Sequence, residues 1–329
     1  MKKSFTILTL ICCLLLGAGC HKEAKAPKPV NEKPAVMSVR IGAGNVPGVY
    51  ARIGSELDKL LKKELPDAAD GTLSSNGSIA NVELLHQKKV ELALTQEDVA
   101  ELAFAGKGPF AGRPFQDIRQ IASLHLEALH FIVPFDSPIR SVADLKKKRI
   151  ALNAPGSGSE VTVRKVLQAW HLTDQDVDIQ YLPEDQILKG LEAGTLDAAF
   201  IITGFPSLEL KPYVADHKVR LVSLEGPQLA SMFERYGYYH PVLMGAGTYK
   251  EQNNPVVTLG VRCLLVCTES TPKEITAAAA SVICAHLEDL KIADEAFWPL
   301  EKSDLFPVLG VPMVETSKEF KAKVSEKKR

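Results

Sequence analysis

Residues 149–170 read Arg149-Ile-Ala-Leu-Asn-Ala-Pro-Gly-Ser-Gly-Ser-Glu-Val-Thr-Val-Arg-Lys-Val-Leu-Gln-Ala-Trp170. A short apolar run stops at a loop of Asn, Pro, Gly and Ser, and a helical stretch over 160–170 follows. Strand, glycine loop, helix is the unit from which the rest of the chain can be read. Downstream, strands are predicted at 179–182, 197–202 and 219–224, with short helices at 186–193 and 228–236. Upstream, 131–133 is a further strand candidate. The middle of the chain is therefore a complete α/β unit.

The same unit occurs nearer the N-terminus. Residues 39–41 are a strand candidate, Gly42-Ala-Gly-Asn-Val-Pro-Gly48 is a loop, and Ile53, Leu57, Leu60 and Leu61 mark one face of an amphipathic helix. A helix over 79–87, a strand over 91–95 and a helix starting near Glu97 continue the pattern. This alternating order predicts a largely parallel sheet. One half-motif occurs twice, as Lys88-Lys-Val-Glu-Leu-Ala-Leu-Thr-Gln96 and Ala193-Gly-Thr-Leu-Asp-Ala-Ala-Phe-Ile-Ile202. Ligands of open α/β sheets collect beyond the carboxyl ends of strands, so Thr95-Gln96 and Thr203-Gly204 are expected walls of a cleft.

With 329 residues there is enough chain for two lobes of ordinary domain size. The net charge of −1, with no basic block interleaved with aromatics, argues against nucleic acid as a partner. Lys2 and Lys3 precede an apolar run over 5–16 and the small residues Gly17, Ala18 and Gly19, the pattern of a secretory signal peptide. It ends at Cys20, where a lipoprotein signal is cleaved and lipid attached, although Gly17 stands at the place where a Leu is usual. Residues 21–33 are rich in Lys, Pro and Glu and suit a solvated tether. The expected organisation is a signal peptide at 1–19, a lipidated tether at 20–37, lobe I at 38–126 and 245–329, and lobe II at 127–244. The expected location is extracytoplasmic, anchored to the membrane by lipid. Cys263, Cys267 and Cys284 are expected as free thiols, the first two too far apart along one strand to bridge.

Several motifs together resemble the TAXI family, the TRAP-transporter-associated extracytoplasmic binding proteins. They are Ile41-Gly-Ala-Gly-Asn-Val-Pro-Gly-Val-Tyr50, Ser74-Ser-Asn-Gly-Ser78 with Asn81-Val-Glu-Leu-Leu85, Ile121-Ala-Ser-Leu-His-Leu-Glu-Ala-Leu-His130 and Ala154-Pro-Gly-Ser-Gly-Ser-Glu160. The resemblance implies a two-lobe, periplasmic-binding-protein-like (Venus flytrap) fold of type II. It also implies delivery of a small anionic or zwitterionic solute, such as glutamate or a dicarboxylate, to a TRAP-type membrane permease. The chain departs from the family's pattern at Ala43, Pro47, Ala51-Arg52, His125 and Gly310-Val-Pro-Met-Val-Glu315.

Each candidate ligand contact has a structural alternative. Ser157, Ser159 and Glu160 open a helix whose amides and positive end suit a carboxylate, and equally they cap that helix. Asn45, Val46 and Tyr50 lie in or just after the first glycine loop, whose spacing fails the dinucleotide fingerprint because Gly48 follows Gly44 by four residues. Tyr50 also suits a core. Ser75, Asn76 and Ser78 form a polar turn, and Gln96 ends a strand. Gly204 and Phe205 end another, where the ring either covers a ligand or closes the core. Arg52 and His125 are the candidate positive charges for an anion, against a surface Arg and a His buried between lobes.

No His-Glu-x-x-His or Cys-x-x-Cys spacing occurs, so neither a metal nor a cofactor is expected. No Gly-x-Ser-x-Gly elbow or assignable nucleophile and base occurs either, so the expectation is a binding protein and not an enzyme. The rivals are a solute-sensing lipoprotein uncoupled from transport and an exported hydrolase.

Overall fold

The computed structural model of the protein describes residues 38–46 and 48–326. The expected signal peptide, the tether and Cys20 lie outside the described residues, as does Pro47. The first α/β unit runs β1 (Val39–Gly42), α1 (Val49–Glu64), β2 (Ala69–Leu73), α2 (Ser78–His86), β3 (Leu92–Gln96) and α3 (Glu97–Ala105). The long β4 (Ile118–Pro134) leads into β5 (Arg149–Leu152), α4 (Gly158–Ala169), β6 (Asp178–Tyr181) and α5 (Glu184–Glu192). The second unit continues with β7 (Ala198–Gly204), α6 (Lys211–Ala215), β8 (Val219–Val222), α7 (Pro227–Arg235) and β9 (His240–Met244). A second long strand, β10 (Val256–Thr268), returns to the first unit, where α8 (Lys273–Ala285), α9 (Leu287–Ala293) and α10 (Glu315–Glu326) follow.

These elements form where local chemistry favours them. In α1, Ile53, Leu57, Leu60 and Leu61 bury one face, and Lys62 and Lys63 in the last turn oppose the negative helix end. Helix α3 has Glu97 and Asp98 in its first turn and stops at Gly106, whose φ of 63° is left-handed. Strand β7 is buried along its whole length, as expected of a strand covered on both faces.

The strands join one sheet in the order β2-β1-β3-β10-β4-β7-β5-β6, with β8 beside β4 and β9 beside β10. The pairs β1–β2, β1–β3, β5–β6 and β5–β7 are parallel. The expectation of a largely parallel sheet holds only for these short strands. Strand β10 runs antiparallel to β3, β4 and β9, and β4 runs antiparallel to β7 and β8, because two long strands carry the chain between the units in opposite directions.

Each unit has helices on both faces of its part of the sheet. Cores form under α1 and α8 on one face of the first unit and under α2 and α3 on the other. The second unit has a core under α4 and α7 and another under α5 and α6. Along β4, Leu129, Phe131 and Val133 enter one of these and Ala128 and Ile132 the other, the period of two that a strand imposes. Leu259 and Val261 of β10 pack in the second unit, whereas Cys263, Leu265 and Cys267 pack in the first. One uninterrupted strand, β10, therefore joins both cores.

Candidate functional site

Loops that open helices in both units meet over the long strands and enclose a cavity of about 340 Å³. That is within the range of small-molecule sites, roughly 300–1,000 Å³. One wall is the first glycine loop with the turn before α2. Gln96 and Glu127 line the cavity from the sheet, where Gln96 lies opposite Cys263 and Glu127 opposite Gly204. The facing wall comes from the loop before α4, the start of α5 and the chain after β7.

Hydrogen bonds fix the first wall. Ser75 Oγ lies 2.8 Å from the Ala43 carbonyl and 2.6 Å from Asn81 Oδ1, and accepts from the Gly77 amide at 3.0 Å. The Ser75 hydroxyl therefore ties two loops together. Ser78 Oγ accepts from the Gln96 amide at 3.1 Å and lies 3.3 Å from the Tyr50 hydroxyl. Asn76 Nδ2 donates to the Pro155 carbonyl at 3.1 Å, and the Ala80 amide donates to the Gly156 carbonyl at 3.1 Å, so the two walls touch. A Cβ at Gly158 would overlap Gln96 Oε1 and lie 2.8 Å from Ser78 Oγ, so glycine is what lets the α4 start approach this closely. Deeper between the units, Asp98 accepts from Thr162 Oγ1 and from the Tyr239 hydroxyl, both at 2.9 Å.

Ser157 occupies the N-cap position of α4, yet its hydroxyl makes no cap bond. It lines the cavity, is 4% exposed, and has no hydrogen-bond partner among the described residues. The capping alternative is not the one adopted. Ser159, also on the lining, accepts from the Ile202 amide at 3.3 Å.

Burial pushes the Glu127 carboxyl up to about 7, against the Gln96 hydrogen bond and the nearby Tyr50 hydroxyl, which favour the charged form. Gln96 Nε2 donates to Glu127 Oε2 at 2.8 Å. His125, Glu127 and Cys263 bring potential metal-ligating atoms within 4.8 Å of one another. Burial pushes the Cys263 thiol well above its ordinary range, so a metal ion there would have to displace a firmly held proton.

Of the residues singled out in the sequence, Asn45, Val46, Tyr50, Ser75, Asn76, Ser78, Gln96, Ser157 and Ser159 line the cavity. Five others do not. Arg52 is not itself on the lining; its guanidinium lies 2.6 Å from Glu209, a lining residue, and 2.8 Å from the buried Asp294. His125 is buried behind the cavity, and its pKa falls to about 4 through loss of solvation, which keeps the ring neutral. The Arg52 charge is thus shared with two carboxylates, and the His125 ring carries none. Glu160 faces the Tyr181 hydroxyl at 3.1 Å and Arg164 at 3.5 Å. Gly204 is paired in the sheet with Glu127, and Phe205 packs on the second-unit core.

The sequence analysis missed Glu127, Glu184, Asp185, Glu209 and Tyr213, all on the lining. Glu127 had a legible signal, an acidic residue within an apolar run, where an unexplained carboxylate costs several kcal/mol. The others stand in ordinary helix starts and loops, where acidic residues attract no notice.

The fold is the type II fold of extracytoplasmic solute-binding proteins. The periplasmic binding protein BugD superposes with a TM-score of 0.55 at 12% identity, covering 89% of this chain and 96% of its own. A protein described as a periplasmic transporter gives 0.53 at 14% identity, with the same coverages. The alkanesulfonate-binding protein SsuA from Xanthomonas axonopodis pv. citri, bound to MOPS, gives 0.50 at 17% identity, covering 88% of this chain and 92% of its own. At the level of sequence, the model of the NMT1-like family matches residues 41–315, and the chain belongs to that family.

Proposed function

We propose that this protein is an extracytoplasmic solute-binding protein that encloses a small organic solute between its two units and delivers it to a TRAP-type membrane permease. The observation that carries this reading is the cavity itself, walled from both units and lined by shielded polar atoms without partners among the described residues, Ser157 Oγ and Gln96 Oε1. Such atoms stabilise a ligand that supplies the missing hydrogen bonds, since leaving them unmade costs about 1–3 kcal/mol each. The start of α4 presents helix amides beside Ser157 and suits a carboxylate. Of the anionic and zwitterionic solutes suggested by the TAXI resemblance, the zwitterions fit better, because a dicarboxylate would bring two anions to a lining that already holds four carboxyl groups.

Two lobes that exchange the chain within β4 and again within β10, a signal peptide at 1–19 and lipid on Cys20 complete the proposal. Mass spectrometry of the protein from its native membrane tests the last of these, with an unmodified N-terminus refuting it. The function is tested by a thermal-shift screen of the mature protein against amino acids and mono- and dicarboxylates. A ligand that binds only the folded state stabilises it by mass action, by about 2.7 kcal/mol at a hundredfold excess over Kd, and so raises the midpoint. Transport reconstituted with a TRAP-type permease then separates delivery from sensing. A flat screen across every class overturns the solute-binding reading.

A further inference from the structure

The ionisable side chains on the cavity lining are Glu127, Glu184, Asp185 and Glu209, with Tyr50 and Tyr213; no Lys, Arg or His stands among the lining residues. Two of the carboxylates have their own cations. Glu209 lies 2.6 Å from Arg52, and Asp185 lies 3.0 Å from Lys189. Glu127 and Glu184 have no salt-bridge cation among the described residues within 4.0 Å, apart from the neutral His125 ring, whose Nε2 is 3.7 Å from Glu127 Oε1.

The hydrogen bonds show the same imbalance in a second, independent way. Glu127 is 3% exposed and Gln96 is 2% exposed. Glu127 Oε2 accepts from Gln96 Nε2, with the Tyr50 hydroxyl and the Cys263 thiol beside the same carboxyl, but Glu127 Oε1 and Gln96 Oε1 have no donor in hydrogen-bonding geometry among the described residues. Glu184 Oε1 is shielded and likewise without a donor. Three acceptor oxygens without donors, two of them on carboxyl groups, thus belong to side chains that line one cavity. An anion cannot complete this arrangement, because it brings more acceptors; a protonated nitrogen brings both the hydrogens and the charge.

Resting on the solute-binding reading, we propose that the solute carries a protonated primary amine or guanidinium, and that its N–H groups donate to the Glu127 carboxyl group and to Gln96 Oε1. Glu184, at the first turn of α5, is likewise pushed up to about 7 by burial and adds negative potential from the facing wall once ionised. A carboxylate on the same solute would face Ser157 and the start of α4, so an amino acid with a basic side chain satisfies both ends. A quaternary ammonium has no N–H and satisfies neither acceptor.

Glu127 is faced by Tyr50 from α1, Gln96 from β3, Asp98 from α3, its own neighbour His125, and Cys263 from β10. None of these is a cation at neutral pH, and burial holds Glu127 at about 7. A seated cation favours the carboxylate, so binding expels a proton and tightens as pH rises through 7.

The test is calorimetry on the mature protein with L-arginine, L-ornithine, L-glutamate, succinate and glycine betaine at pH 6 and pH 8. The expected result is binding of arginine or ornithine, about tenfold tighter at pH 8, with proton release seen as a dependence of the heat on buffer ionisation. Glu127→Gln should weaken that binding at least thirtyfold while leaving the melting midpoint unchanged or higher, since it removes a buried carboxyl group. Glu184→Gln should weaken it several-fold, which gives a second readout should the first variant fail to fold. Succinate binding without arginine or ornithine binding overturns the cationic solute and leaves the solute-binding reading standing. Betaine binding as tightly as arginine overturns the N–H recognition, as does undiminished affinity in Glu127→Gln. Binding of none of the five overturns this inference, while a hit from the wider thermal-shift screen would still uphold the solute-binding reading.

Discussion

Replacing Arg52 by Ala separates a guanidinium that binds solute from one that holds the fold. Its side chain is 23% exposed and lies 2.8 Å from Asp294, whose carboxylate is 1% exposed, and 2.6 Å from Glu209. Asp294 also accepts from the Ala296 amide at 3.0 Å. Removing the cation strands a buried carboxylate, for which the typical cost is about 3–5 kcal/mol; partial exposure of the guanidinium points to the lower end. At roughly 2–4 °C per kcal/mol, a loss of about 3 kcal/mol lowers the melting midpoint by roughly 6–12 °C. Solute affinity should move the other way. Glu209 lines the cavity, and without Arg52 its charge is no longer neutralised there, so a cationic or zwitterionic ligand binds as tightly as before or more tightly. Differential scanning calorimetry and titration of one preparation read both quantities. A midpoint within about 2 °C of wild type, together with lost affinity for an anionic solute, would refute the reasoning and return Arg52 to the site.

Gly158→Val should weaken solute binding by at least tenfold, about 1.4 kcal/mol, with a smaller effect on the midpoint, because its Cβ meets Gln96 and Ser78 and holds the walls apart; titration calorimetry checks it. His130 is fully buried, 2.6 Å from the Tyr249 hydroxyl and 2.9 Å from the Ala128 carbonyl, and burial lowers its pKa to about 4. The unfolded chain therefore binds more protons between pH 6.5 and 4, and the stability this neutral ring contributes is present above 6.5 and lost as pH falls through 4. Urea midpoints at pH 7 and pH 4.5 should differ less in His130→Gln than in wild type, and an equal difference would exclude His130 as the source. Cys263 and Cys267 are buried and Cys284 is half-buried. In the mature protein with Cys20 replaced, Ellman's reagent should label at most Cys284 rapidly and all three thiols in denaturant, and rapid labelling of three native thiols would contradict the packing.

The glycine loops, the helix starts and the alternation of helices and strands were legible in the sequence because each depends on local chemistry. A loop of Gly, Ser and Asn marks a turn wherever it stands, and an apolar stripe at Ile53, Leu57, Leu60 and Leu61 marks a helix face without reference to the rest of the molecule. The wall residues in those loops could therefore be named in advance. The long strands were harder. Strand β4 is buried almost throughout, so it lacks alternation, and Ser123, His125, Glu127 and His130 interrupt its apolar run.

The charge of the site was decided by the tertiary structure alone. Arg52 could be read as an anion holder until the fold brought it to Asp294, 242 residues away, and to Glu209, 157 residues away. Glu127 could be read as part of a family motif until Gln96, from a different strand, took one of its oxygens and left the other buried 3.7 Å from a neutral His125 ring. Composition and spacing specify which residues begin a helix or end a strand, because those preferences act over a few residues. Whether a charged group meets a counter-charge, a ligand or neither depends on neighbours brought from elsewhere in the chain, and burial then magnifies the difference by weakening the screening that water supplies.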